Sequence, residues 1–226
     1  LDKYYFGKVD RISPEAPVPI VNIQKEESRL GGASNVANNI VSLGGHSLLC
    51  GVIGHDLFGK EIERISRHKN IDTFLLKTSS PTITKARIIG GKQQIVRVDY
   101  EDKSELNADN KKLFRDTISR ILPEYDILVI SDYGKGLISE DLCRYLIKLA
   151  HKYDKKVIID PKGKNWEKYS GADIVTPNVK ELSDIVGYTV PNTDRAIEKA
   201  AREAITNNHL TALLVTRSDK GMSLIG

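Results

Sequence analysis

Four short polar segments close apolar runs in the second half of the chain. They are Asp132-Tyr133-Gly134-Lys135-Gly136, Asp160-Pro161-Lys162-Gly163, Pro177-Asn178-Val179-Lys180-Glu181 and Thr216-Arg217-Ser218-Asp219-Lys220-Gly221. These residue types suit the handling of anions. Lys135, Lys162 and Lys220 are point charges able to hold phosphate, and each has a glycine beside it that lets backbone N–H groups approach. Asn178 and Glu181 stand three apart, so at a helix start they share a face. An amide oxygen and a carboxylate so placed can hold a hydrated Mg²⁺. Taken singly, each has a plainer reading: Asn178 as a helix N-cap, the lysines as solvated surface charge, Gly and Pro as ordinary loop residues. Recurrence at four run ends favours one shared site.

A second constellation lies upstream, in Arg29-Leu30-Gly31-Gly32-Ala33-Ser34-Asn35-Val36-Ala37-Asn38-Asn39. Gly31-Gly32 opens a helix that runs to Leu43 and stops at Gly44-Gly45, a glycine C-cap signal. The segment lacks both the GK[ST] ending of a Walker loop and the G-x-G-x-x-G spacing of a dinucleotide site. Its glycines and Asn35 instead offer backbone donors and one amide that can bind a neutral polyol. A tight turn before a helix is the equal alternative.

The elements that must carry these residues follow from the hydrophobic pattern. Ile127–Ser131, Lys156–Asp160, Ile174–Thr176 and Ala212–Thr216 are apolar without alternation, as parallel strands buried on both faces require. Amphipathic helices fall between them over Ser139–Lys152, Lys180–Val186 and Thr193–Asn208, the first with Ser139 as N-cap. This alternation means right-handed crossovers and a doubly wound sheet, with ligands beyond the carboxyl ends of the strands. Upstream, Ser47–Ile53 reads as a strand, Asp56–His68 and Ala108–Leu122 as helices. Phe6–Ile23, with three of the eight prolines, reads as extended. Thr82–Tyr100 reads as a hairpin turning at Gly90-Gly91-Lys92, with Val96, Val98 and Tyr100 on one face and Gln93, Arg97 and Asp99 on the other. Such a ribbon on an α/β body is a lid, a dimerisation flap, or a surface hairpin with no role. Trp166 and Tyr169 are expected to pack a short helix onto the core.

Composition bounds the alternatives. The 226 residues are 40% apolar and 28% charged, with a net charge of +4. That suits one α/β domain, with at most a small appendage, and is too weakly basic for a nucleic-acid binder. No apolar run approaches the roughly 20 residues of a membrane helix. Cys50 and Cys143 are far apart in sequence and the five histidines show no metal spacing, which leaves no disulfide framework or zinc site and makes a reducing cytoplasm the default. Without a Gly-x-Ser-x-Gly elbow, nucleophilic hydrolase chemistry has no support.

Gly31-Gly32-Ala33-Ser34-Asn35-Val36-Ala37, six residues to Gly44 and nine more to Gly54, resembles the first signature of the ribokinase-like (PfkB) sugar kinases. Arg11–Pro19, Pro81–Lys85, Ser131-Asp132-Tyr133 with Lys135-Gly136, Asp160–Gly163 and Val215–Ser218 are similar to the heptose-7-phosphate kinase branch of that family. The resemblance spans essentially the whole chain. It implies a ribokinase-like α/β fold, a doubly wound sheet with helices on both faces, plus a small β lid from about residues 4–24 and 82–101. The activity implied is ATP- and Mg²⁺-dependent phosphorylation of D-glycero-β-D-manno-heptose 7-phosphate at the anomeric hydroxyl. The 1,7-bisphosphate product would feed ADP-heptose and lipopolysaccharide core synthesis in the cytoplasm.

By position, the resemblance assigns Asp2, Gly31, Gly32 and Asn35 to sugar hydroxyls, Asp2 because a carboxylate can accept from two adjacent hydroxyls. The lid would bring Arg11, Gln93 and Arg97 over the sugar. Asp132 joins the substrate set, and Lys162, with Lys135 or Arg97, would take the substrate's own phosphate. Asn178 and Glu181 match an Asn-x-x-Glu element that organises Mg²⁺, through water. Thr216 and Gly221 would lie along the nucleotide. The partners implied are a second copy, through the lid face of Val96, Val98 and Tyr100, and in this branch often a fused adenylyltransferase domain. The family's second signature, a Gly-Ala-Gly-Asp loop carrying the catalytic base and an anion hole, does not occur among these residues. It is expected after Gly226, as a first strand is expected before Asp2. The chain is therefore expected to be truncated at both ends and inactive alone. Rival readings are another sugar or nucleoside kinase of this fold and a non-catalytic sugar-phosphate-binding or dimerisation module.

Overall fold

A computed structural model describes residues 1–102 and 104–226, and the chain divides into two compact units, Leu1–Ser104 and Glu105–Gly226. The first unit opens with two long strands, β1 (Asp2–Ile12) and β2 (Pro19–Arg29). After them come helix α1 (Ala33–Ser42), strand β3 (Leu48–Gly54), helix α2 (Leu57–His68) and strand β4 (Asp72–Thr78). A hairpin of β5 (Thr84–Gly90) and β6 (Gln93–Tyr100) completes it. The segment read from sequence as merely extended is thus an antiparallel hairpin. Its prolines fall where the ladder tolerates them, Pro14 and Pro17 in the turn closed by Ser13 N–H to Val18 O at 2.9 Å, and Pro19 at the first position of β2.

These strands form a four-stranded sheet in the order β2-β1-β5-β6, in which only β1 and β5 run parallel. The register places Asp2 beside Lys85 and Arg29, and Arg87 beside Tyr4 and Arg97. One face of the sheet therefore presents Asp2, Arg29, Lys85, Arg87, Arg97 and Asp99. Beside it, β3 and β4 pair in parallel and pack with α1 and α2 around Leu1, Leu30, Ala37, Leu49, Ile53, Ile62 and Ile71.

A knot of hydrogen bonds joins α2 to the start of β5. Asp56 caps α2 by accepting from Gly59 N–H at 2.8 Å, and also accepts from Thr82 N–H at 2.8 Å and Thr82 Oγ1 at 2.7 Å. Thr82 Oγ1 in turn accepts from Gly54 N–H at 2.8 Å. Gly54 and Gly59 approach so closely that a Cβ on Gly54 would lie 2.5 Å from Ser80 O, and one on Gly59 would lie 2.6 Å from Gly54 O.

The second unit contains α3 (Ala108–Ile121), β7 (Ile127–Ser131), α4 (Glu140–Lys152), β8 (Lys156–Asp160), β9 (Ile174–Val175), α5 (Val179–Val186), α6 (Asp194–Asn208), β10 (Ala212–Thr216) and β11 (Met222–Ile225). The sheet order is β11-β10-β9-β8-β7, with β7 to β10 parallel and β11 antiparallel. One face holds Val157, Ile159, Val175, Leu213 and Val215, all fully buried against α4 and α6. The other face is more open than the unbroken apolar runs imply: Met222 and Leu224 on β11 are 64% and 66% exposed. As expected, Trp166 and Tyr169 bury themselves around a short 3₁₀ turn at Glu167–Tyr169. Among the described residues no helix is long and apolar enough to cross a membrane.

Candidate functional site

The first unit builds a carboxylate seat. Gly32 precedes α1 with φ 55°, ψ −135°, a backbone state that only glycine adopts without strain, and this turns the chain so that Gly31 lies against β1. A Cβ on Gly31 would sit 2.3 Å from Asp2 Oδ2, so the absence of a side chain there is what admits the carboxylate. On the other side Arg87 donates from Nη1 to Asp2 Oδ1 at 2.6 Å. The pair is only partly buried, with side chains 22% and 24% exposed. Arg87 also lies over the Tyr4 ring at 5.2 Å, and its hydrogen bond to Asp2 holds the guanidinium above its ordinary pKa. Asn35 stands exposed in the first turn of α1, and the buried Ser34 closes that turn through Oγ to Gly31 O at 2.7 Å. Asp2, Gly31, Gly32 and Arg87 are thus neighbours.

The remaining residues expected over the sugar are spread along the sheet. Arg97 lies opposite Arg87 on the same face, held bidentate by Asp99 at 2.8 and 3.0 Å. Gln93 pairs with Gly90 at the far end of the β5–β6 hairpin. Arg11 is exposed nine residues beyond Asp2 on β1, about 30 Å along the strand at roughly 3.3 Å per residue. Within this chain Arg11 does not join Asp2 at one ligand.

In the second unit the parallel order puts the ends of β7, β8, β9 and β10 on one edge of the sheet. Backbone bonds tie the ends together: Asp132 N–H to Asp160 O at 3.0 Å, Thr176 N–H to Ile159 O at 2.8 Å and Thr216 N–H to Pro177 O at 2.8 Å. Asn178 bridges to Thr216. Asn178 and Glu181 form a full capping box on α5, Asn178 Oδ1 accepting from Glu181 N–H at 2.9 Å and Glu181 Oε2 from Asn178 N–H at 3.0 Å. The plainer capping role is therefore present. The second carboxylate oxygen, Glu181 Oε1, lies 4.0 Å from Lys162 Nζ. Burial, and then the charge of Glu181, push the Asp160 carboxyl above its ordinary range against the pull of Lys162. The Ser131 hydroxyl, in register with Asp160, is buried without a hydrogen-bond partner. Hard oxygen donors beside a lysine and an unsatisfied hydroxyl make a polar site suited to a hydrated cation and phosphate. Among the described residues no cluster of three or more His, Cys, Asp or Glu side chains is set to hold a metal ion directly.

Three strand-end residues turn out to serve the fold. Asp132 has a side chain only 2% exposed, and its oxygens accept from Gly134 N–H, Lys168 Nζ and Tyr169 Oη. It was expected in the substrate set, but this burial leaves it no surface for a ligand. Arg217 is buried and holds the β10–β11 loop through Asn192 Oδ1 at 2.9 Å and Ser223 Oγ at 2.9 Å. Lys220 donates to Asn192 O at 2.7 Å. Thr216 is exposed at the end of β10, and Gly221 closes the loop with φ 76°, its O accepting from Arg217 N–H at 2.8 Å. Lys135 directly follows Gly134 in the loop that Asp132 organises.

Arg87, Asp160, Lys168 and Tyr169 are the residues that sequence reasoning did not single out for the site. For Asp160 a signal existed, since it opens one of the four polar segments. For Arg87 the hairpin periodicity gave its face but not its partner.

A two-part α/β chain with polar loops at the ends of four parallel strands has the layout of an enzyme that handles phosphate. The chain belongs to the pfkB family of carbohydrate kinases, whose model matches residues 4–226. It is 43% identical over 225 residues to the D-beta-D-heptose 7-phosphate kinase of Bordetella bronchiseptica, covering 99% of this chain and 70% of that protein. It is 44% identical over 226 residues to the bifunctional protein HldE of Haemophilus influenzae strain PittEE, covering 100% of this chain and 46% of that protein. The chain thus spans about half the length of several curated relatives it matches. Among solved structures, phosphofructokinase-2 from Escherichia coli in complex with fructose-6-phosphate shares the fold, with a TM-score of 0.76 at 21% identity over 99% of this chain and 73% of that one. Membership of a carbohydrate kinase family implies ATP as phosphoryl donor, generally with a divalent metal ion.

Proposed function

We propose that this chain is the kinase part of a heptose-phosphate enzyme. It would transfer the γ-phosphoryl group of ATP to the anomeric hydroxyl of D-glycero-β-D-manno-heptose 7-phosphate, giving the 1,7-bisphosphate for ADP-heptose and lipopolysaccharide core synthesis in the cytoplasm. The names of its relatives support this reading. The observation that carries it is the Asp2 carboxylate, seated on Gly31 and held by Arg87, an acceptor suited to two adjacent sugar hydroxyls. In the first unit Asp2, Gly31, Gly32 and Asn35 bind sugar hydroxyls, with Arg97 and Gln93 on the lid sheet. In the second, Lys162, aided by Lys135, takes a phosphate group. Mg²⁺, held through water by Asp160 and the second carboxylate oxygen of Glu181, would screen the phosphate charges during transfer. Thr216 and Gly221 line the nucleotide.

Two copies pair through the four-stranded sheet, where Val96 and Val98 are 44% and 41% exposed on its edge strand. The bifunctional relatives favour an adenylyltransferase as the partner activity. Calorimetric titration of the chain with heptose 7-phosphate and with fructose 6-phosphate tests the substrate. Binding of the heptose at least about tenfold tighter is expected, and equal or reversed affinities would assign the chain to another sugar kinase.

A further inference from the structure

The buried ion pair behind the strand ends of the second unit has no part in the roles assigned above. Asp132, at the end of β7, accepts from Lys168 Nζ at 2.5 Å, from Tyr169 Oη at 2.7 Å and from Gly134 N–H at 2.8 Å. Tyr169 Oη is shared: it also accepts from Lys162 N–H at 3.0 Å and lies 3.3 Å from Lys162 O. One phenol oxygen thus joins the loop after β7, which leads to Lys135, to the loop after β8, which carries Lys162. Lys168 lies over the Tyr169 ring at 5.0 Å, and its side chain is 17% exposed. Gly134 takes φ +62°, so the loop turns back to give its N–H to Asp132.

Energy alone does not account for such a group. Burying a carboxylate and an ammonium costs several kcal/mol per ion, and apolar side chains of similar volume often do as well for stability. What an ionic network adds is a fixed direction for each bond it makes. We propose that Lys168 and Tyr169 are positioning residues that, through Asp132, hold the Lys135 and Lys162 loops in the one arrangement that receives phosphate. This rests on the assignment of Lys162 to a phosphate group.

Tyr169→Phe keeps the buried ring and removes only the hydroxyl hub. Two measurements on the 226-residue chain separate the proposal from the reading beneath it. Amide hydrogen exchange at Lys162 and Gly134 should accelerate about tenfold or more in Tyr169→Phe, with Val157 and Ile159 in β8 unchanged, marking local opening rather than global unfolding. Affinity for inorganic phosphate should fall about tenfold in Tyr169→Phe and in Lys168→Met, with Lys168→Arg within about threefold of the parent. Unchanged exchange at Lys162 would overturn the proposal. So would faster exchange with unchanged affinity, or a Lys168→Arg variant as weak as Lys168→Met. A parent chain that binds no heptose 7-phosphate refutes the substrate reading instead, and the exchange of Lys162 still decides whether the network holds the loops.

Discussion

Replacing Gly31 by alanine isolates the seat of the Asp2 carboxylate. Gly31 has no left-handed backbone, so a methyl group costs nothing in conformation and meets only its neighbour. That neighbour is Asp2, with Oδ2 at 2.3 Å and Cγ at 3.0 Å from the new Cβ. A carbon–oxygen contact needs about 3.3 Å, so the carboxylate must move by about 1 Å. Movement of that size puts the 2.6 Å bond from Arg87 outside hydrogen-bond geometry. Overpacking costs about 1–3 kcal/mol, and the partly exposed ion pair adds about 1 kcal/mol at most. Tm should therefore fall by about 3–12 °C for a chain of this size. Loss of one or two charge-assisted bonds to sugar hydroxyls, at about 1.5 kcal/mol each, weakens heptose 7-phosphate about 10–150-fold. Gly44→Ala is the control: Gly44 has φ +89° and nothing within 4 Å, so it costs about 1–2 kcal/mol in backbone strain and leaves affinity alone. Calorimetry and thermal melts on both variants decide it. A Gly31→Ala protein that binds within twofold of the parent refutes Asp2 as the sugar carboxylate.

Three other outcomes follow from the same geometry. Asp56→Ala loses the cap of α2 and both bonds to Thr82, costing about 2–4 kcal/mol by thermal melt. Burial pushes the Asp56 carboxyl up, but its Thr82 and Gly59 hydrogen bonds hold it below the ordinary range. The difference between parent and variant is therefore full at neutral pH and lost as pH falls through that lowered pKa. Asp160 has the opposite sign: raised by burial and Glu181, it weakens the fold when ionised. Asp160→Asn should thus melt higher than the parent at pH 8, converge with it as pH falls through the raised pKa, and bind Mg-ATP more weakly; a variant that melts lower at pH 8 would contradict this. Light scattering should give a dimer for the parent chain and a monomer for Val96→Lys/Val98→Lys, while a monomeric parent excludes pairing through this sheet.

The parallel core was legible because its central strands are unbroken apolar runs, although one face of the sheet stays more open than such runs imply: Ile127–Ser131, Lys156–Asp160 and Ala212–Thr216 lie where the runs put them. β1 and β2 were read only as an extended segment, and two further strands escaped altogether. In β4, Asp72, Thr73 and Lys77 break up the apolar run, and β11 is four residues long and leaves Met222 and Leu224 exposed. Ser139 does precede α4, yet its hydroxyl donates to Asp141 at 2.5 Å rather than capping the helix backbone. The Gly31-Gly32 element was readable from local spacing alone. Its partner was not: Arg87 reaches Asp2 because β1 and β5 pair in parallel across 85 residues of sequence. Asp132 misled for a related reason. A polar residue at a strand end looks like a ligand until Lys168 and Tyr169 arrive from 36 and 37 residues away. Contacts at that separation are set by tertiary packing, to which local pattern is blind.

The most direct test of the sugar assignment is an amide-resolved NMR titration of the chain with D-glycero-β-D-manno-heptose 7-phosphate. Saturable shifts at Gly31, Gly32 and Asn35 are expected, abolished in Asp2→Asn. Saturation with these three amides unmoved, or shifts that persist in Asp2→Asn, would contradict the account.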